Sequence, residues 1–240
     1  MRQSTFLFLL VLLLGTTIAF AETPAASDGD ASTPSTPVSR ARMERSWEMG
    51  PFINWGTGVG NRSDFKFFWG GFQLGKVITP VVHAGVFSGQ FELSGNIMPL
   101  WQAYTPAPSL RTVYYKGQPY FNVPYGGGTF HGVAITPAIL RWNFLSHSRR
   151  FQPWFQGAGG LIYTTHKFPP DQLVPHGAPG GTSVWNFAPQ GGGGFHYFTR
   201  PGRSLDLGIN AVHISSASLG DRNPGVNASI QIQVGYTFWQ

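Results

Sequence analysis

The chain has 240 residues, of which 11% are charged and 15% aromatic, with 32 glycines and no cysteine. Soluble domains carry about 25% charged residues, so this composition argues against an ordinary water-soluble domain and suits a membrane barrel, apolar outside and small or polar inside. The net charge of +6 comes without a basic stripe interleaved with aromatics, which argues against a nucleic-acid partner, and the lack of cysteine excludes a disulfide framework.

The N-terminus reads as an export signal. Arg2 supplies the positive start, Phe6 to Leu14 is an apolar run, and Ala19-Phe20-Ala21 offers the small residues a signal peptidase requires. That run is too short to span a bilayer. Residues 1–21 are therefore expected to be a cleaved signal peptide, with Glu22 first in the mature chain. Residues 22–42 are rich in Ser, Thr, Pro, Ala and Asp, with Val38 as their one β-branched aliphatic, and read as a disordered linker. No later stretch reaches the length of a spanning helix.

Residues 43–240 read as one domain. From Ser46 onward the apolar residues recur with a period near two, broken by Gly, Pro, Asn and Asp clusters. Eight strands are predicted, at 46–55, 67–77, 88–101, 131–143, 153–164, 183–198, 203–216 and 227–239. The first, third, fifth and seventh connections are mostly long and the others shorter, down to Thr199–Gly202. Long external loops alternating with short periplasmic turns predict an eight-stranded antiparallel transmembrane β-barrel of a bacterial outer membrane, with both chain ends on the periplasmic side. A soluble sandwich with the apolar face inward fits the same alternation but not the export signal or the low charge.

Individual segments add detail. Gly191–Gly194 lies within a predicted strand and lacks the lysine and helix of a phosphate loop, so it reads as a place where the strand bends or an aromatic packs over it. The histidines show no metal-ligand spacing, and neither a metal nor another cofactor is expected. Tyr236, Phe238 and Trp239 form the aromatic ending typical of barrels.

The seventh and eighth strands show the alternation most cleanly. Leu205, Leu207, Ile209 and Ala211 share one face, and Asp206, Gly208 and Asn210 the other. In the last strand Ala228, Ile230, Ile232 and Val234 oppose Ser229, Gln231 and Gln233. Parity extends the apolar, lipid-facing row to His213 and Ser215, at the upper end of the strand. Side chains at i and i+2 project to the same side, so an imidazole and a hydroxyl sit together at outer-leaflet depth, where the substrate at hand is a lipid. A strand end marking the membrane interface accounts for the same two residues.

The stretch His213-Ile214-Ser215-Ser216-Ala217, followed after residues 218–222 by Asn223-Pro224-Gly225-Val226-Asn227, resembles the lipid A 3-O-deacylase (acyloxyacyl hydrolase) family of outer-membrane barrels. That family's signature reads His-x-Ser-Asn-Ala and then Asn-x-Gly-x-Glu at the same spacing. The resemblance implies an esterase acting on an acyl chain of lipid A. Ser215 would be the nucleophile and His213 its general base, with Asn223 and the backbone near Ala217 as oxyanion donors. Ser216 departs from the signature's Asn, and Asn227 stands where it has the acidic Glu. An amide orients an imidazole but does not stabilise the imidazolium as a carboxylate does.

Parity sets Asn227 on the lumen side with Ser229 and Gln231, so joining His213 requires a bulge after Gly225. Of the acids that could substitute, Asp221 lies in the loop above the site, Asp206 faces the lumen, and Glu48 and Glu92 fall in other strands. Arg222, Lys116 and Lys167 lie in external loops, where they fit either contacts to lipid A phosphates or ordinary solvated loop charge. Two readings stay open: a lipid A deacylase with Asn227 in the acid's place, and a small outer-membrane barrel without catalysis. A homodimer is compatible with either.

Overall fold

The computed structural model describes Val38, residues 46–169 and 182–217, Leu219 and residues 227–240. The proposed signal peptide, most of the linker, and Asp221, Arg222 and Asn223 lie outside the described residues.

Eight strands close into an antiparallel barrel: β1 (Trp47–Gly58), β2 (Lys66–Val77), β3 (Gly89–Tyr104), β6 (Thr129–Phe144), β7 (Phe151–Phe168), β8 (Ser183–Arg200), β9 (Arg203–His213) and β10 (Ala228–Trp239). Closure joins β1 to β10, from Glu48 opposite Trp239 to Gly58 opposite Ser229. Below the last pair, Trp47 and Gln240 exchange both backbone hydrogen bonds, at 2.8 and 2.9 Å. The barrel sheet keeps no open edge, which is the condition for crossing hydrocarbon with β-structure. Every predicted strand is present, and most run further toward the loop end than alternation alone indicated. The exceptions are β8, which begins at Ser183 as predicted, β9, which stops at His213 rather than 216, and β10, which begins at Ala228 rather than 227.

One hairpin escaped prediction. Residues 102–130, expected as a loop, contain β4 (Ser109–Tyr115) and β5 (Gln118–Tyr125), paired with each other and turning at Lys116-Gly117, both at positive φ. At its base Tyr125 is buried and its hydroxyl donates to Asp64 in the β1–β2 loop.

Period-two parity sorts the wall. Trp55, Phe72, Ile97, Phe155, Ile209 and Ile232 point outward and are half exposed or more, whereas Asn54, Asn96, Gln156, Asn210 and Gln231 point inward and are buried. A closed barrel with an apolar exterior and a polar interior is a membrane-spanning barrel. No helix among the described residues is long and apolar enough to cross a membrane.

The lumen is filled, in two layers. The upper half holds Phe67, Trp69, Trp101, Phe130, Ile162, Phe168, Val212 and Ile214 in one apolar cluster, with Phe168 edge-on to Trp101 at 5.3 Å and to Phe130 at 5.1 Å. The lower half is polar. Arg141 bonds Glu92 at 2.9 Å and Glu48 at 3.2 Å, and reaches Gln156, which continues to Asn210 and Gln233. Val38, Val77, Phe198 and Trp239 pack together at the periplasmic end. Side chains thus occupy what would be a channel, as eight strands lead one to expect.

Glycine placement follows from this filling. The Trp154 indole, inward from β7, lies across Gly194 of β8 and Gly208 of β9; a Cβ at Gly194 would stand 2.6 Å from the indole and 2.1 Å from the Leu207 carbonyl. Outward Gly157 has open space instead. Gly194→Ala is therefore expected to cost about 1–3 kcal/mol of barrel stability through overpacking, and Gly157→Ala less than about 0.5 kcal/mol. Urea unfolding of the barrel in lipid vesicles measures both.

Candidate active site on the outer wall

The pairing of β8 with β9 keeps one register from Gln190 opposite Val212 down to Phe195 opposite Leu207. The same register continues above the strand, where Phe187 and Ser215 exchange two backbone bonds, at 2.7 and 3.0 Å. Residues opposite each other in an antiparallel pair project to the same face. Phe187 points outward, and so does Ser215, covered by its neighbours to 8% exposure. Below it on that face comes half-exposed His213, then exposed Ala211. Between them Ile214 faces the lumen, its N–H donating to the Asn227 carbonyl at 2.8 Å.

The turn after Ser215 is tight. Ala217 adopts φ +44°, and its N–H donates to Ser215 Oγ at 3.1 Å. A left-handed conformation is unfavourable for a residue with a Cβ, and such strain gathers where the chain must aim a group. Here it turns a backbone donor onto the hydroxyl. Ser216, where the family signature has Asn, is fully buried, and its hydroxyl has no hydrogen-bond partner among the described residues.

Asn227 is not brought to the histidine. The β9–β10 ladder runs without a register shift up to Ala228 opposite His213, so the bulge needed to turn Asn227 outward does not form within it. Asn227 is 1% exposed on the lumen side, and neither polar atom of its amide has a hydrogen-bond partner among the described residues. Its backbone carbonyl, rather than its side chain, bonds the segment that carries His213 and Ser215. The described structure gives the His213 ring no hydrogen bond to a carboxylate. Of the loop cations, Lys116 sits exposed at the β4–β5 turn and Lys167 exposed near the loop end of β7.

Sequence reasoning missed the surface that leads to the pair. A groove of about 310 Å³ opens on the outer wall beside His213, lined also by Pro189, Gly191, Ala211 and Ala228. It exists because several outward positions across β8, β9 and β10 lack long side chains. Reading residues 189–193 by parity together with Ala211 would have found it. A larger groove of about 460 Å³ lies across β2, β3 and β6, where each strand shifts register, and its lining contains no ionisable residue.

These features define a class: a membrane barrel whose outer wall carries a histidine and a serine facing lipid instead of lumen. The family model described as Lipid A 3-O-deacylase (PagL) matches residues 46–237, and the chain belongs to that family. It is thus a lipid A deacylase-like barrel of the bacterial outer membrane. No curated protein sequence matches significantly. Similar solved structures include the outer membrane enzyme PagL (14% identity, TM-score 0.48, covering 79% of this chain and 98% of that one). Neisserial surface protein A is similar at 15% identity (TM-score 0.48, 80% and 96%). OprG from Pseudomonas aeruginosa is similar at 11% (TM-score 0.39, 81% and 95%).

The positive φ of Ala217 makes its own prediction. Ala217→Gly should be tolerated, whereas β-branched Ala217→Val should lose about 1–2 kcal/mol. Equal urea midpoints for the two variants would mean that the turn relaxes.

Proposed function

We propose that the protein is a lipid A deacylase that hydrolyses an ester-linked acyl chain, at the 3-O position for which its family is named, with Ser215 as nucleophile and His213 as general base. The observation that carries this reading is the outward i, i+2 placement of the two residues on the lipid-facing wall, where His213 lines a groove. A substrate held in the bilayer meets them without leaving the membrane. The groove suits an acyl chain, since Pro189, Gly191, Ala211, Val212 and Ala228 line it beside His213 and Gln190.

In this mechanism neutral His213 takes the proton as Ser215 Oγ attacks the ester carbonyl. The Ala217 N–H and, from the loop, Asn223 donate to the oxyanion that develops. Collapse expels the sugar hydroxyl, which takes its proton from His213. Water, deprotonated by the same imidazole, then releases the acyl group as a fatty acid and restores the serine. Asn227 acts as a positioning residue through its carbonyl, which holds Ile214 between the two catalytic side chains. Lys116, Lys167 and Arg222 offer charge to the phosphates at the head-group level.

Expression in an outer membrane with mass spectrometry of lipid A tests the reading. The wild type should remove one acyl chain, and Ser215→Ala or His213→Ala should cut the rate at least about 1000-fold. An unchanged lipid A profile, or equal loss with Ser215→Ala, would sink it and leave a barrel without catalysis. Asn227→Glu should change the rate by less than about threefold, since a tenfold difference corresponds to 1.4 kcal/mol of transition-state stabilisation that an inward side chain does not supply. A tenfold gain would instead make residue 227 the third member of a triad.

The groove is tested separately. Gly191→Leu fills it from an outward position that is neither the nucleophile nor the base. It should raise KM for long-chain esters by about tenfold, the worth of roughly 1.4 kcal/mol of lost apolar contact, while leaving hydrolysis of a short soluble ester unchanged. Equal loss on both substrates would mean that the groove does not hold the chain.

A further inference from the structure

The lower lumen gathers buried ionisable groups that take no part in the wall chemistry. Glu48 of β1, Glu92 of β3 and His196 of β8 each bring a ligand atom within 4.8 Å of the others, and all three residues are buried. They converge from well-separated strands of the barrel wall.

His196 is the telling member. It is 0% exposed, its Nδ1 lies 2.7 Å from Asp206 Oδ1, and its Nε2 has no hydrogen-bond partner among the described residues. Asp206 is held in turn by Ser204 at 2.7 Å and by the Thr237 hydroxyl. A carboxylate on one ring nitrogen, with the other nitrogen bare, is how proteins orient a metal-binding histidine. The Nδ1–H donates to the carboxylate, and the lone pair is left on Nε2. A buried nitrogen with nothing to bond costs its full desolvation, so the bare Nε2 asks for a partner.

Charge points the same way. Glu48, Glu92 and Asp206 are acidic, and among the described residues the Arg141 guanidinium is the one permanent cation paired with the two glutamates. Three carboxyl groups thus share one guanidinium in a water-poor interior, where uncompensated charge is expensive. A divalent cation bound there replaces the protons that otherwise neutralise the carboxyls.

We propose that Glu48, Glu92 and His196 form a divalent-metal site inside the barrel, with Asp206 as the positioning residue for His196. One nitrogen and carboxylate oxygens suit zinc or a neighbouring transition ion. Bound there, the ion ties β1, β3 and β8 across the lumen. The bare Nε2 becomes a ligand, and the site needs no residue of the outer wall.

The test uses the full barrel purified from an outer membrane without a histidine tag, stripped by a chelator, incubated with zinc chloride and desalted. Mass spectrometry for metal should find a stoichiometric amount retained. His196→Gln should weaken binding at least about 100-fold and Asp206→Asn about 10–100-fold, with ester hydrolysis and heat-modifiable gel migration unchanged. Trace retention by the wild type would overturn the proposal and leave protons as the neutralising species. Undiminished binding by His196→Gln would overturn it too, placing the metal on surface histidines such as His131. Should His196→Gln not fold, X-ray absorption of the zinc-loaded wild type decides. One imidazole with carboxylate oxygens supports the site, and two or more imidazoles overturn it.

Discussion

A strand that crosses hydrocarbon has to hydrogen-bond every backbone amide to another strand, and in this chain that demand is met only when β1 pairs with β10. The rest of the molecule depends on that closure. It leaves each residue two directions, toward lipid or toward lumen, and period-two geometry assigns them along the chain. The wall is therefore apolar because every second residue is, and the interior is polar because the others are. The candidate site obeys the same assignment: His213 and Ser215 face lipid for the reason that Ile209 does, with Phe187 opposite Ser215 confirming the face.

The lumen and the wall carry different duties. Inside, an aromatic layer above and a charged layer below exclude a pore, and Trp154 needs the bare backbone of Gly194 and Gly208 to lie flat. Outside, missing side chains matter for a different reason: Gly191, Ala211 and Ala228 open a groove beside His213. One glycine-rich segment of β8 thus serves packing through its inward members and surface shape through its outward ones.

The alternation of residues 205–211 and 228–234 made the barrel legible, because burial on one face only leaves a mark in the order of residue types. The outward pairing of His213 with Ser215 was legible for the same reason. The β4–β5 hairpin was not, since its residues answer to each other above the wall instead of to the bilayer. The inward side chain of Asn227 was predictable by parity and stayed so, because the β9–β10 ladder takes no bulge up to Ala228. The groove and the Glu48–Glu92–His196 cluster were hidden by distance along the chain. Residues 148 positions apart meet only once the sheet has curled, and no spacing rule reaches across a barrel.

The polar layer of the lumen also bears on how the chain assembles. Its members come from nearly the whole length of the sequence: Glu48 from the first strand, Glu92 and Arg141 from the middle, and Asp206, Thr237 and the Trp239 indole, which donates to Ser204, from the end. A half-made sheet would hold these groups exposed to lipid or unpaired, with Arg141 lacking Glu48 and Asp206 lacking Thr237. Insertion and closure are thereby coupled, and a chain short of its last strand has no stable partial barrel to rest in. The interior acts as a check on completeness, passed only by a chain that has delivered both of its ends.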